Sequence, residues 1–189
     1  MYFIRVRTPR NVRSRYGVHK FVHDLVRDPI DPNGRRKFLF RYDHDGVVTI
    51  ISETAPKDTG KENILLFREF TPNFKKGAVY HFSIVANPSV MERKTRKRRF
   101  VFGEEAQLAW LSTHLESAGR IEKAWVNSTG KCAVGKPGFS TSMEIVIGEV
   151  EYEGIIVCDD PKSLECLVRS GIGHAKGFGL GMLLLKQIA

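Results

Sequence analysis

Twice along this chain the hydrophobic pattern runs strand, helix, strand, strand and then, after a connection, strand again, and few folds accept that order. Phe3, Ile4 and Val6 fall within Tyr2 to Arg7, an extended run with one wet side. Arg15 to Arg27 then carries Val18, Phe21, Val22, Leu25 and Val26, the i, i+3, i+4, i+7, i+8 stripe of a helix that Pro29 and Pro32 stop. Lys37 to Tyr42 and Val47 to Ser52 flank the turn signal Asp43-His44-Asp45-Gly46. An irregular stretch to Gly77, with room for a short helix, precedes a strand at Val79 to Ala86.

The second half repeats the order in different residues. A basic extended segment ends at Phe102, and Glu104 to Ser117 is helical, with Leu108, Trp110, Leu111 and Leu115 mostly on one side. Ile121 to Val126 and Met143 to Val157 read as extended. A helix from Pro161 to Arg169, capped by Asp160, leads to the terminal strand Met182 to Ile188. Strand-helix-strand-strand-helix-strand is the split βαβ unit, so the expected fold is α+β: two tandem ferredoxin-like, RRM-like βαββαβ domains, 1–86 and 87–189. Lys131 to Ser140, holding Gly135 and Pro137-Gly138, is expected to be a mobile loop.

Charge decides the partner class. The formal net charge is +9, unevenly spread over 189 residues. Arg5, Arg7, Arg10, Arg13, Arg15 and Lys20 all precede the first acid, Asp24. Arg93-Lys94-Thr95-Arg96-Lys97-Arg98-Arg99 packs six cations into seven residues, whereas Glu144 to Glu165 holds seven acids against Lys162. One face is therefore expected to meet a polyanion, nucleic acid first, with a merely solvated basic surface as the plainer alternative. An Arg-Gly-Phe-x-Phe run of the kind that stacks bases on an RRM sheet is missing. Cys132, Cys158 and Cys166 are odd in number and lack close pair spacing, which fits idle thiols in a reducing compartment. No secretory leader is read at the start, and no apolar run approaches the ~20 residues a bilayer crossing needs.

On a helical wheel Tyr16, His19, Lys20, His23 and Arg27 fall together, opposite the apolar stripe. Imidazole titrates near neutrality, and RNA phosphodiester transfer needs a base for the 2′-hydroxyl, an acid for the leaving 5′-oxygen and cations for the charge on phosphorus. This face offers those roles without a metal or other cofactor. A solvated helix that happens to carry histidines is the plain alternative. A metal site at His19 and His23 would lack both a third ligand and the glutamate of a zinc protease. Asp159-Asp160 reads as helix capping, and Gly-x-Ser-x-Gly does not occur.

The end of the chain carries glycines at 171, 173, 177, 179 and 181, with His174 and Lys176 between them. Repeated positive φ and exposed N–H groups can make an anion-binding nest. A dinucleotide loop is excluded by order, because here a helix precedes the glycines and a strand follows them.

Three stretches together carry a resemblance. They are Gly171-Ile-Gly-His-Ala-Lys-Gly-Phe-Gly-Leu-Gly-Met-Leu; Met1-Tyr2-Phe3 with Tyr16-Gly-Val-His19; and Val85-Ala-Asn-Pro88, a basic hairpin, then Glu105-Ala-Gln-Leu-Ala-Trp110-Leu111. In this order they resemble the repeat-associated RNA-binding (RAMP) superfamily, and within it the CasE subtype of CRISPR pre-crRNA endoribonucleases. The resemblance implies tandem ferredoxin-like domains and metal-independent cleavage of the repeat hairpin, leaving 2′,3′-cyclic phosphate and 5′-hydroxyl ends. It implies His19 as general acid or base, with Tyr16 beside it. Arg93, Lys94, Arg96, Lys97, Arg98 and Arg99 would grip the repeat stem. Gly171, Gly173, His174, Lys176, Gly177 and Gly179 would hold RNA backbone, joined by the cations Arg13, Arg15 and Lys20 and by His23. Implied partners are pre-crRNA, mature crRNA and Cascade subunits in the prokaryotic cytoplasm, with no membrane. The sequence departs from the family at His23, since the tryptophan often found after the catalytic histidine is missing, and at His174, where proline is common.

Two rivals make different predictions. A noncatalytic RAMP scaffold would coat crRNA without cutting it. A regulatory nucleic-acid binder would show no hairpin preference and yield no cyclic phosphate.

Overall fold

The computed structural model describes residues 1–12, 14–26, 37–43, 45–57, 63–134 and 146–189. Arg13, Arg27, His44 and much of the expected 131–140 loop lie outside them.

Strand β1 (Tyr2–Arg7), helix α1 (Arg15–Leu25) and strands β2 (Phe38–Tyr42), β3 (Val47–Ser52) and β4 (Ile64–Glu69) form the first unit. Its sheet is antiparallel in the order β2-β3-β1-β4. Strands β5 (Val79–Ala86), β8 (Gly119–Ala133), β9 (Val146–Cys158) and β10 (Leu183–Gln187) form a second antiparallel sheet, ordered β10-β5-β9-β8. Helices α2 (Glu104–Leu115) and α3 (Pro161–Ser170) join its strands. Counted within each unit, both sheets run fourth, first, third, second, the ferredoxin-like order. Strands β6 (Ser89–Met91) and β7 (Arg98–Phe100) pair by themselves as a hairpin.

Two expectations change. Val79–Ala86, expected to close the first sheet, is instead the inner strand β5 of the second, between β10 and β9. Alternate residues Tyr80, Phe82, Ile84 and Ala86 are buried in the second core, and it is this burial that fixes the strand there. The first sheet is closed by β4, inside the stretch expected to be irregular. The basic segment before Phe102 supplies β6 and β7 instead of a core strand, because its cations all stay in solvent. In addition, Lys131–Ala133, expected to open a mobile loop, belong to β8.

Local chemistry explains the helices. Ser14 caps α1 by accepting from the Gly17 N–H at 3.0 Å. Asp160 caps α3, accepting from the Lys162 N–H at 3.1 Å and the Ser163 hydroxyl at 2.6 Å. Val18, Val22 and Leu25 seal α1 onto Ile4, Val6, Phe40, Val48 and Ile50. Residues of the opposite parity, Leu39 and Ile51, enter the second core with Phe82, Leu111 and Tyr152. All six residues of β3 are buried as a result, so the first sheet is covered on both faces along this strand. That packing places α1 next to the carboxyl-terminal turn.

Candidate nucleic-acid interface

Helix α1 and the carboxyl-terminal turn, 171–181, meet at one cavity of about 540 Å³. Tyr16 and His19 line it from α1, and residues 173–178 line it from the turn. His19 is half-buried among rings from three elements. Tyr16 and His23 of its own helix, Phe40 of β2 and Phe178 of the turn stand at 6.4, 6.2, 6.5 and 6.3 Å between centroids. Its Nδ1 is buried, so a substrate in the cavity meets the other edge of the ring.

The turn owes its path to glycine at two close approaches. At Gly173, with φ +75°, a Cβ would stand 3.0 Å from the Trp110 indole. At Gly179, with φ +84°, it would stand 2.9 Å from the Phe40 ring. Trp110 in turn stacks on Tyr152 at 6.4 Å, so the turn lies on an aromatic floor built by the second unit. Between these contacts Lys176–Phe178 form a single 3-10 turn. Its entry at Ala175 is left-handed, with φ +61°, and the Phe178 N–H donates to the Ala175 carbonyl at 2.8 Å.

His174 projects from this turn as an exposed side chain. Its pKa is lowered, first by partial burial of the ring and then by Arg98, Lys176 and His114. Arg98 of β7, Lys176 of the turn and His114 of α2 therefore act electrostatically on a ring that lines the cavity. The hairpin carries the remaining expected cations. Arg93, Lys94, Arg96, Lys97, Arg98 and Arg99 are all exposed. Glu92 organises their turn by accepting from the Arg96 N–H and pairing with Arg99 at 2.9 and 3.0 Å. The Val101 N–H donates to the Pro88 carbonyl at 2.9 Å and anchors the base of the hairpin.

Not every expected site residue joins this surface. Arg15 is drawn into a cross-unit ion pair with Glu149 of β9 at 2.8 Å, lies 5.4 Å from the Tyr42 ring centroid, and sits beside Gly179. Arg41 makes a similar bridge, donating to Ser83 at 2.7 Å and Glu151 at 2.6 Å. Sequence reasoning missed both bridges, along with Trp110 and His114 as supports. Lys20 is exposed, and exposed His23 lies 3.7 Å from Asp24, outside the cavity lining. Gly171 is buried at the start of the turn, where the helix ends, and Gly177 lines the cavity. Arg13 lies outside the described residues.

Nucleophilic thiol chemistry has no support. Burial, reinforced by Glu149, pushes the Cys132 thiol up to about 11, and burial also raises Cys158. Among the described residues no three His, Cys, Asp or Glu side chains gather as a metal site. Among them, too, no helix is long and apolar enough to cross a membrane.

The CRISPR-associated protein family model matches residues 1–187. The CRISPR system Cascade subunit CasE of Escherichia coli K12 is 27% identical over 192 residues, covering 93% of this chain and 94% of that protein. The CRISPR-associated endoribonuclease Cse3 of Thermus thermophilus is 26% identical over 192 residues, covering 92% and 90%. A solved structure of Cse3 bound to 19-nucleotide RNA superposes with a TM-score of 0.84 at 24% identity, over 98% of this chain and all 100% of that one.

Proposed function

The chain belongs to the CRISPR-associated protein family, and from that premise we propose that it binds repeat hairpins in CRISPR precursor RNA and cuts them as a metal-independent endoribonuclease. The observation that carries this is the shared cavity: a phenol and an imidazole from α1 face a glycine-built, lysine-bearing turn across about 540 Å³. That volume lies within the ~300–1,000 Å³ typical of ligand sites.

In this reading the ribose 2′-oxygen attacks phosphorus as its proton is removed. The bond to the 5′-oxygen breaks as that oxygen is protonated, leaving 2′,3′-cyclic phosphate and 5′-hydroxyl ends. His19 supplies proton transfer and Tyr16 positions the phosphate beside it. Lys176 and the backbone N–H groups of the turn take up charge developing on phosphorus. The exposed hairpin cations hold the stem by its phosphates, since the major groove of A-form RNA is too deep and narrow for side chains to read.

After cutting, the protein is expected to stay on mature crRNA and to join Cascade subunits in the prokaryotic cytoplasm, as the name of its Escherichia coli relative suggests. Sheet membership supports a division of the chain within 70–78, between β4 and β5, in place of one after Ala86.

The deciding experiment incubates end-labelled repeat hairpin with the protein, with and without a chelator. Cutting to a cyclic phosphate in both conditions is expected, together with no cutting of a strand carrying 2′-deoxyribose at the scissile position. Equal cutting of the deoxy strand overturns the reading.

A further inference from the structure

Transfer at phosphorus moves two protons, one off the 2′-hydroxyl and one onto the 5′-oxygen, and a single imidazole beside a phenol is a spare set for both. The cavity holds a second imidazole. His174 lines it from the carboxyl-terminal turn while His19 lines it from α1, so the two rings approach one volume from different elements. We propose that His174 is a second catalytic group, the base that takes the 2′-hydroxyl proton while His19 delivers a proton to the 5′-oxygen. The proposal deepens the endoribonuclease reading and rests on it.

Geometry supports this division of labour. His174 is exposed, so it can reach a ribose entering along the hairpin, and it sits between the glycine entry at Gly173 and the cation Lys176. His19 is fixed by four surrounding rings and has one buried edge. The groups facing His174 are Arg98 from β7, His114 from α2 and Lys176 from its own turn, with Tyr16 and His19 across the cavity. The first three lower its pKa, after partial burial, so the ring is held neutral near pH 7, the form a base requires. The same cations bind the incoming phosphate. Its negative charge then offsets theirs and raises the basicity of His174 at the moment a proton must be accepted.

The step balances. The 2′-O–H bond breaks and its proton passes to His174 as the 2′-oxygen bonds to phosphorus. The bond from phosphorus to the 5′-oxygen breaks, and that oxygen takes a proton from His19. The two imidazoles end with exchanged protonation states, which water resets.

The test measures single-turnover cutting of a repeat hairpin against pH for the wild type, His174→Gln and His19→Ala. Each protein is given the normal RNA and an RNA whose 5′-bridging oxygen is replaced by sulfur, a leaving group that needs no proton. His174→Gln is expected to lose about 10²–10³-fold in rate, to lose the acidic limb of the profile and to keep hairpin binding. The sulfur substrate is expected to restore His19→Ala and to leave His174→Gln slow. An unchanged rate and acidic limb in His174→Gln overturns the proposal, and so does rescue of that variant by sulfur. A wild type that leaves the hairpin intact refutes the endoribonuclease reading itself; a wild type that cuts, beside an unimpaired His174→Gln, refutes only the second base.

Discussion

The two units contribute unlike things to the one cavity. The first brings two reactive groups, Tyr16 and His19, on a helix whose other face is locked into a buried apolar core. The second brings the holding groups: the glycine turn, the aromatic floor of Trp110 and Tyr152, and the cationic hairpin. The cavity draws one imidazole from each unit, His19 from α1 and His174 from the turn, so neither half alone presents both beside the phosphate cradle. What joins them is the burial of Leu39 and Ile51 in the second core and the paired bridges Arg15–Glu149 and Arg41–Glu151. Chemistry here is a property of the seam.

The sharpest way to break the comparison is to separate cutting from holding. His19→Ala is expected to lower single-turnover cleavage by ~10²–10⁴-fold while hairpin affinity stays near that of the wild type. Loss of affinity in step with rate would place holding functions on α1 as well. The converse experiment neutralises Arg93, Lys94, Arg96, Lys97, Arg98 and Arg99 to glutamine. If all six touch phosphate of the duplex stem, the log–log salt dependence of binding should flatten by up to about five units, with the cleavage rate of bound RNA largely kept. A filter-binding series across salt concentrations reads this directly.

How far the sequence foretold this arrangement differs between the units for a physical reason. Helix α1 was legible because its stripe is local: Val18, Val22 and Leu25 repeat at helical spacing, so Tyr16 and His19 could be put on the opposite face. The terminal turn and β10 were legible from glycine spacing and the apolar run behind it. Strand β4 was not, because five of its six residues are exposed and no alternation marks it. With β4 unseen, β5 was assigned to the wrong sheet, since strand pairing depends on partners far away in sequence. Arg15 misled in the same way. Surrounded in sequence by other arginines, it read as part of an RNA surface, whereas its partner Glu149 lies 134 residues away. The convergence of Arg98 and His114 on His174 is equally non-local.

Two further substitutions probe the seam itself. Gly179→Ala forces a side chain onto φ +84° and against Phe40, the ring that also packs on His19. A stability loss of about 1–3 kcal/mol in urea unfolding is expected, with a drop in cutting larger than the drop in hairpin affinity. Wild-type stability in this variant would mean that the turn relaxes away from β2 without cost. The Arg15–Glu149 pair is only partly shielded, at 13% and 19% side-chain exposure. A double-mutant cycle with Arg15→Ala and Glu149→Ala should therefore return about 1 kcal/mol of coupling. A coupling near zero would leave apolar burial and the Arg41–Glu151 bridge to hold the units together.

The smallest expected effect concerns pH. Folding lowers the pKa of His174 below its ordinary value of 6.5, through partial burial and the cations around it. At pH 8 and above, the ring is essentially unprotonated in both folded and unfolded chains, so it contributes almost nothing to the pH dependence. As pH falls below about 6.5 the unfolded chain takes up the proton first, and stability declines until the folded ring is protonated too. Because the ring is exposed and solvent screens its neighbours, the slope is shallow. His174→Gln removes it, so melting curves of the two proteins should coincide at pH 8 and separate slightly at pH 5, with the variant the more stable after the contributions of other groups cancel in the difference. Adding a non-cleavable repeat hairpin should reverse that order at pH 5, since the bound phosphate favours the protonated ring. Curves that separate equally at both pH values would mean that the cations of the second unit do not act on His174, and that the cradle and the proton-transfer groups are electrostatically independent.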